Sequence, residues 1–180
     1  MRRMTYPLLV MALVLLSNPV FAQLPPATDI IPAGFQAEPE RDLGGTKVIT
    51  ARKPNENFPK AFLDPGIELQ ITWQNNPAAE MIVNMLAQQP EEPAGQVTGT
   101  SMREEPCGIE RYRGGVLTCR KVIMPYIGSG KADPLVTWRV SWTGKGADGL
   151  VTIGVNNFFG AKETITGWFD AIIPKIVKAE

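Results

Sequence analysis

Residues 135–157 read LVTWRVSWTGKGADGLVTIGVNN. This segment determines the fold class, and the rest of the sequence adds further strands and helices. Apolar residues alternate with polar ones along its first half, at Val136, Trp138, Val140 and Trp142. This period of two predicts a β-strand over residues 135–143, with its apolar side chains on one face. The glycine-rich turn at 144–149 returns the chain into a second strand at 150–157. The segment therefore predicts an antiparallel sheet that is covered on one face and more polar on the other.

Similar patterns elsewhere in the sequence predict the remaining strands. They lie at residues 46–51, 67–73, 96–102, 109–112 and 116–124. The last two flank the turn Arg113-Gly114-Gly115, which is typical of a β-hairpin. We therefore expect a central antiparallel sheet of about six strands.

Two amphipathic segments predict helices at residues 77–89 and 162–178. Asn76 is in place to cap the first helix, and Pro77 suits its first position. That helix should bury Ala78, Met81, Ile82, Met85 and Leu86. The second helix carries an apolar stripe formed by Ile165, Trp168, Phe169, Ile172, Ile173 and Ile176, and Pro174 predicts a kink or an early end. The expected fold is a single α+β domain over residues 29–180, with the helices on the faces of the sheet.

The composition excludes several classes of function. The chain has 180 residues, 18 Lys and Arg against 18 Asp and Glu, and no histidine. Without histidine there is no Ser-His or Cys-His nucleophile pair and no imidazole ligand for zinc. The zero formal net charge gives no basic footprint for nucleic acid. We expect neither a metal nor a cofactor, and no enzymatic activity.

The N-terminal residues predict export. Arg2 and Arg3 precede an apolar run of about ten residues, and the small-residue pattern Val20-Phe21-Ala22 follows. This order is typical of a secretory signal peptide over residues 1–22, because a membrane-spanning helix needs about 20 apolar residues. Residues 23–28 should form a flexible lead-in to the domain. The expected location is the periplasm or the exterior, with no stable membrane insertion after cleavage.

Cys107 and Cys119 are the two cysteines of the chain, and Arg113 lies midway between them beside the hairpin turn. Residues equidistant from such a turn face each other with Cβ atoms about 4.5 to 5.5 Å apart, which suits a disulfide. Export to an oxidising compartment favours that pairing. We predict a Cys107–Cys119 disulfide.

Three tryptophans occupy alternating positions on the predicted strands: Trp73, Trp138 and Trp142. They are expected on faces that also carry Val and Ile, which favours a place in the core. The alternative is an aromatic pocket for an apolar ligand between sheet and helix.

Arg111, Arg113, Arg120 and Lys121 form the only concentration of positive charge, near the predicted hairpin. A solvated surface is the simpler interpretation, and a patch that docks an acidic protein partner is the other.

Two further patterns resemble functional motifs. Residues 144–149 match the letters G-x-G-x-x-G, but a dinucleotide site needs a strand before that run and a helix after it, whereas strands are predicted on both sides. The carboxylates of Glu104 and Glu105 are adjacent, yet neighbours on a strand point to opposite faces and do not form one acidic site. Neither motif predicts catalysis.

The order of elements resembles the PsbP-like family. The matching features are the entry Ile31-Pro32-Ala33-Gly34-Phe35, a strand that reaches Trp73, the helix after Asn76-Pro77, a meander of strands, and a last helix with Trp168-Phe169. The fold of that family occurs in an extrinsic photosystem II subunit, a Ran-binding nuclear import factor and many small exported bacterial proteins. The resemblance implies an αβα sandwich and a non-catalytic accessory role at the surface of a larger complex.

These observations favour an exported, non-enzymatic accessory or binding protein that contacts a protein partner in the cell envelope. The alternative is a carrier of a small apolar ligand, held between sheet and helix near the three tryptophans.

Overall fold

A computed structural model of the chain describes residues 25–60, 62–97, 101–125, 133–147 and 149–177. The strands are β1 (Gln36–Ala37), β2 (Arg41–Asp42), β3 (Thr46–Lys53), β4 (Ile67–Gln74), β5 (Gly95–Gln96), β6 (Arg103–Tyr112), β7 (Gly115–Met124), β8 (Leu135–Gly146) and β9 (Gly149–Phe158), and the helices are α1 (Ala27–Ile30), α2 (Ala79–Leu86) and α3 (Lys162–Ile176). The α+β class predicted from the sequence is confirmed. The predicted signal peptide lies outside the described residues.

The strands of the described part form one antiparallel sheet, in the order β1-β3-β4-β9-β8-β7-β6-β5, and β2 also pairs with β3. The six long strands match the predicted number. The three others, β1, β2 and β5, have two residues each and lie beside β3 or β6. So short a strand has no period that a sequence pattern could show.

β6 begins at Arg103, six residues before the predicted start. Of the predicted strand at 96–102, whose residues 98–100 lie outside the described part, Gln96 belongs to β5. Residues 103–106 read REEP, which has no apolar alternation and contains a proline. They pair with β7 because Glu104 receives hydrogen bonds from Arg120 and Arg139, at 3.0 and 2.7 Å. Cross-strand charge pairing therefore extends the strand where hydrophobic patterning does not.

The apolar face of the sheet lies under α3. Pairing in register places Ile49, Ile71, Ile153, Trp142 and Leu117 in one row across five strands. The side chains of α3 that close over this face are Ile165, Phe169, Ile172, Ile173 and Ile176, all buried. The apolar stripe predicted for this helix is confirmed, with Trp168 half-buried at its edge. α3 ends at Ile176, two residues after Pro174, as expected for a proline near the C-terminus of a helix.

Trp142 has its indole against the backbone of two glycines. Gly144 follows it by two residues on the same face of β8, and Gly115 of β7 pairs with Gly144. A Cβ at Gly115 would lie 2.6 Å from Trp142 Nε1, and one at Gly144 would collide with the six-membered ring. The indole N–H donates to the carbonyl of Tyr112 at 2.8 Å, so Trp142 reaches over β7 to β6. Trp142 is 1% exposed.

α2 buries a different face from the one predicted. Ala79 and Val83 are buried, whereas Met81 and Met85, which the periodicity assigned to the core, are 60% and 58% exposed. The sequence of this helix is apolar on more than one side, and the side that it buries is the one with the small residues Ala79 and Val83. Glu80 pairs with Lys145 of β8 at 3.5 Å, and Asn84 accepts a hydrogen bond from Arg111 of β6 at 2.8 Å.

The starts of the first two helices also differ from expectation. α1 begins at Ala27, inside the segment expected to be a lead-in, and its Ile30 is buried in the core. Asn76 does not cap α2 directly. Its side chain accepts from the N–H of Ala78, and α2 starts at Ala79.

Cys107 and Cys119 form the predicted disulfide, with Cα atoms 5.1 Å apart. The residue directly opposite Cys119 is Gly108, because the turn is centred between Arg113 and Gly114. A β-bulge between Pro106 and Gly108 places Cys107 beside Cys119. Gly108 has a φ of 138°, which favours glycine. The predicted disulfide is confirmed. The predicted direct opposition of Cys107 and Cys119 is wrong by one residue, because Gly108 occupies that position.

Replacing Gly144 with alanine should destabilise the protein by about 1 to 3 kcal/mol, since the buried indole of Trp142 must move to admit a methyl group. Urea unfolding measures the loss. Gly154→Ala in β9 is the matched control, because a Cβ there meets no atom within 4 Å. Equal stability of Gly144→Ala and Gly154→Ala would contradict the packing described.

Replacing both cysteines with alanine should lower the free energy of unfolding by about 3 kcal/mol, since the disulfide closes a short loop in the unfolded chain. Denaturant titration of the variant and of the reduced wild-type protein should give the same loss. An unchanged midpoint relative to the oxidised protein would show that the disulfide does not restrain the unfolded chain.

Candidate functional site

The three tryptophans predicted as ligand-binding residues do not line one cavity. Trp73 and Trp142 are buried in the core between the sheet and α3. Trp138 is half-buried at the other end of β8, opposite Phe158, and its indole N–H donates to the carbonyl of Gly160 at 2.9 Å. The clefts described below are lined by other residues.

The four cationic residues predicted as a partner-binding patch each have a contact of their own. Arg111 donates to Asn84, Arg113 to Asp170, and Arg120 to both Glu104 and Glu92. The ammonium of Lys121 lies 5.6 Å from the ring centroid of Trp138. Because successive residues of a strand point to opposite faces, Arg120 and Lys121 are separated by the sheet. The structure therefore does not bring the four charges into one patch.

Tyr112, Arg113 and Asp170 connect the β6–β7 turn to α3. The Tyr112 hydroxyl and the Arg113 Nε both donate to Asp170 Oδ1, at 2.7 and 2.9 Å. These two hydrogen bonds hold the pKa of Asp170 below its ordinary value. Burial and the hydrogen bond to Asp170 raise the pKa of Tyr112. The charged carboxylate is thus the form that joins hairpin and helix.

Glu104 and Glu105 point to different partners, as expected for neighbours on a strand. Glu104 accepts from Arg120 and Arg139, whereas Glu105 pairs with Arg103 at 3.0 Å. A cleft of about 200 Å³ lies between β6, β7 and residues 89–92, on the face of the sheet to which Glu104 points. Both Glu104 and Arg120 are largely enclosed, so their pairing joins the strands of this edge.

A second cleft, of about 250 Å³, opens where the end of β3 meets the start of α3. We call it the aromatic cleft, and its main lining residues are Lys53, Ile67, Phe158, Phe159 and Trp168. Ile67 is fully buried and belongs to the core, so it forms the inner wall. The rings of Phe158 and Trp168 meet edge to face, with centroids 5.2 Å apart. The cleft is therefore a rigid aromatic surface with one cation.

Lys53 provides that cation. Its ammonium lies 4.9 Å from the Trp168 ring centroid and 5.3 Å from that of Phe35, within range of a cation–π interaction. The side chain is only 16% exposed, so its methylenes are packed while the charge stays at the cleft. Its acidic neighbour is Glu56, whose carboxylate is 3.7 Å away on a side chain that is 86% exposed. That ion pair is long and solvated, and a surface pair of this kind contributes little.

Hydrogen bonds from Asn55 and Asp64 hold the walls of the aromatic cleft. Asn55 donates to Asp64 Oδ1 and to the carbonyl of Asn157, and accepts from the N–H of Phe159. Burial raises the pKa of Asp64, but hydrogen bonds from Asn55 and from the N–H of Gly66 outweigh it and leave the pKa lowered. The loop after β3 is thereby tied to the segment that carries Phe158 and Phe159.

Sequence patterns did not identify this cleft. Trp168 was assigned to the apolar stripe of a core helix, and the other lining residues come from distant segments of the chain. The nearest local signal is Phe158-Phe159-Gly160, two adjacent aromatic residues at the end of a strand. On a strand, one of the two must face away from the core. Phe159 does so, and it packs edge to face with Phe58 at 5.6 Å.

The outer face of α2, formed by Met81 and Met85, is a second exposed apolar feature. The two residues are four apart, so their side chains are neighbours on the helix. In this orientation of the helix, Glu80 and Asn84 contact Lys145 and Arg111 of the sheet.

Comparison with protein-family models, with curated proteins and with solved structures finds no match to this chain. Within the described ranges, no helix is both long and apolar enough to span a membrane.

Asp170→Asn should destabilise the protein at pH 7 by less than about 1 kcal/mol, because the lost charge is partly exposed. The folded-state pKa of Asp170 is depressed, so its stabilising effect exists above the ordinary value of 3.8 and disappears as the pH falls through the folded value. The difference between the two proteins should therefore vanish in strong acid. Urea titrations across this pH range measure it.

The control is the same substitution in a Tyr112→Phe, Arg113→Ala background, where no pH-dependent difference is expected. A difference that stays constant from neutral pH to strong acid would be inconsistent with the hydrogen-bonded carboxylate.

Proposed function

We propose that this chain is an exported, non-enzymatic accessory protein of the cell envelope that binds a protein partner through the outer face of α2. The observation that carries the proposal is the exposure of Met81 and Met85 on a helix that buries Ala79 and Val83 instead. Methionine is flexible and polarisable, and it is over-represented at surfaces that adapt to a partner. Contiguous apolar side chains at the surface mark sites of interaction with other proteins.

Export is supported by the disulfide, since such bonds persist in oxidising compartments. The basic and apolar order of residues 1–22 supports the same location. The periplasm or the exterior is therefore the compartment we propose.

A non-enzymatic role is supported by the structural hydrogen bonds of the titratable groups whose pKa values are shifted. Among the described residues, the pKa departs from its ordinary value at Asp64, Tyr112, Arg113 and Asp170. Each of these groups is engaged in hydrogen bonds that join one part of the fold to another. Shifted pKa values also arise in structural networks, and these four have that character.

The PsbP-like resemblance is part of this proposal, together with its αβα arrangement. Lys145 follows Gly144 on β8 and so points away from the face that carries Trp142. Its ion pair with Glu80 supports a position of α2 opposite α3. An accessory role at the surface of a larger complex is the function that this architecture suggests.

The carrier hypothesis has less support. It needs space between the sheet and α3, and there the indole of Trp142 is packed on Gly115 and Gly144 with its N–H bonded to Tyr112. A ligand at that position would have to displace a fully buried side chain.

Site-specific photocrosslinking in the native envelope tests the proposal. A photoreactive phenylalanine analogue at position 81 or 85 should yield one discrete adduct with a protein. Leu63 is the matched control, since it is a large apolar residue that is 95% exposed on a loop, and the same analogue there should give no adduct.

The adduct identified by mass spectrometry should bind the purified wild-type protein and bind a Met81→Lys, Met85→Lys variant at least about tenfold more weakly. Thermal unfolding confirms that this variant is folded. Equal crosslinking from position 63, or unchanged binding of the double variant, would refute the role of α2.

A further inference from the structure

We propose that the aromatic cleft binds a small planar carboxylate, with the carboxylate on Lys53 and the ring against Phe159 and Trp168. This inference goes beyond the proposed contact through α2 and does not depend on it, because the two sites share no residue. It assigns to the cleft an aromatic acid of one ring, free in solution.

The positive charge of Lys53 favours a negatively charged ligand. The ammonium is held in place by two aromatic rings, and its acidic neighbour is the loosely placed Glu56 at 3.7 Å. A charge-assisted hydrogen bond to a carboxylate is shorter, at about 2.7 to 2.9 Å, and stronger. A bound carboxylate would therefore displace Glu56 toward solvent, where its side chain already lies.

The walls define the body of the ligand. Phe159 and Trp168 are half-buried and present aromatic surface, whereas Ile67 and Phe158 lie deeper, at 1% and 6% exposed. Aromatic pairs prefer edge-to-face or offset contacts at centroid separations of about 4.5 to 7 Å. The volume of about 250 Å³ lies below the usual range of about 300 to 1,000 Å³ for drug-sized ligands. A single ring with a short acidic substituent suits that space better than a lipid or a fused polycycle.

The first turn of α3 also favours a negatively charged ligand. Gly160, Ala161 and Thr164 border the cleft, and Ala161 precedes the helix without a side-chain cap. The positive end of the helix dipole and Lys53 therefore border the same cleft, and both favour an anion. The helix start is secondary here, since the lysine and the aromatic walls define the site.

The walls of the cleft are already held in place before a ligand binds. Asn55 holds the loop after β3 to the backbone of Asn157 and Phe159. Asn157 has a φ of 59°, an uncommon conformation that turns the chain at the end of β9 and directs Phe158 inward and Phe159 outward. Walls that are fixed before binding reduce the entropy cost of association.

Titration of the full, disulfide-bonded protein with benzoate, followed by ¹H–¹⁵N NMR, tests the proposal. Benzoate should shift the amide signals of residues 158–164 and the indole N–H of Trp168, and leave that of Trp142 unchanged. Benzamide, the neutral isostere, and acetate, which lacks the ring, should each bind at least about tenfold more weakly.

Three variants separate ligand binding from a structural role of Lys53. Lys53→Met keeps the packed methylenes and should weaken benzoate binding about tenfold or more. Lys121→Met is the matched control, because Lys121 also lies over a tryptophan but outside the cleft, and it should leave the affinity unchanged. Glu56→Gln removes the internal competitor and should strengthen binding by about two- to fivefold.

The proposal is overturned if benzoate and benzamide bind equally, if Lys53→Met and Lys121→Met have the same effect, or if benzoate leaves the cleft signals unshifted at millimolar concentration. A peptide ending in phenylalanine serves as a further probe. If it binds more tightly than benzoate at the same residues, the occupant is a protein C-terminus and not a free acid. None of these results alters the crosslinking expected at α2.

Discussion

The packing of Trp142 on Gly115 and Gly144 is the contact on which the rest of the structure depends. Its indole lies over β7 and donates to Tyr112 of β6, so one side chain links three strands in a single register. That register places Gly108 opposite Cys119, where the bulge brings in Cys107. It also sets the Arg113-Gly114 turn at the height of Asp170 on α3. A shift by one residue would separate all of these contacts.

Because the interior is filled, both candidate binding sites lie at the surface. The apolar face under α3 is filled by branched aliphatic side chains and by the two core tryptophans. The outer face of α2 and the aromatic cleft instead lie on elements that polar contacts hold in place. Rigid scaffolds that present a few exposed side chains are suited to recognition, because little ordering remains to be done on binding. The two sites differ in chemistry, since one is apolar and adaptable and the other is aromatic and cationic.

The sequence predicted what depends on long periodic patterns and missed what depends on pairing between distant segments. The strands of 135–157 and the stripe of α3 follow from alternation and helical spacing. The disulfide was predicted from the position of the turn, but the bulge that brings Cys107 beside Cys119 was not. The predicted buried face of α2 was wrong because the helix has apolar residues on several sides, and its spacing alone does not show that Ala79 and Val83 are the buried ones. The aromatic cleft combines residues from β3, β4, the end of β9 and α3. Only the folded chain brings Lys53 to Trp168.

Hydrogen exchange of the tryptophan indole N–H groups tests the central claim, that the core is closed and register is fixed by Trp142. The Trp142 N–H should exchange as slowly as the most protected backbone amides, through global unfolding alone. The Trp138 N–H, which is half-buried at the end of β8, should exchange faster. Fast exchange at Trp142, or a change in its signal when a fatty acid is added, would show that the interior opens and would contradict the account.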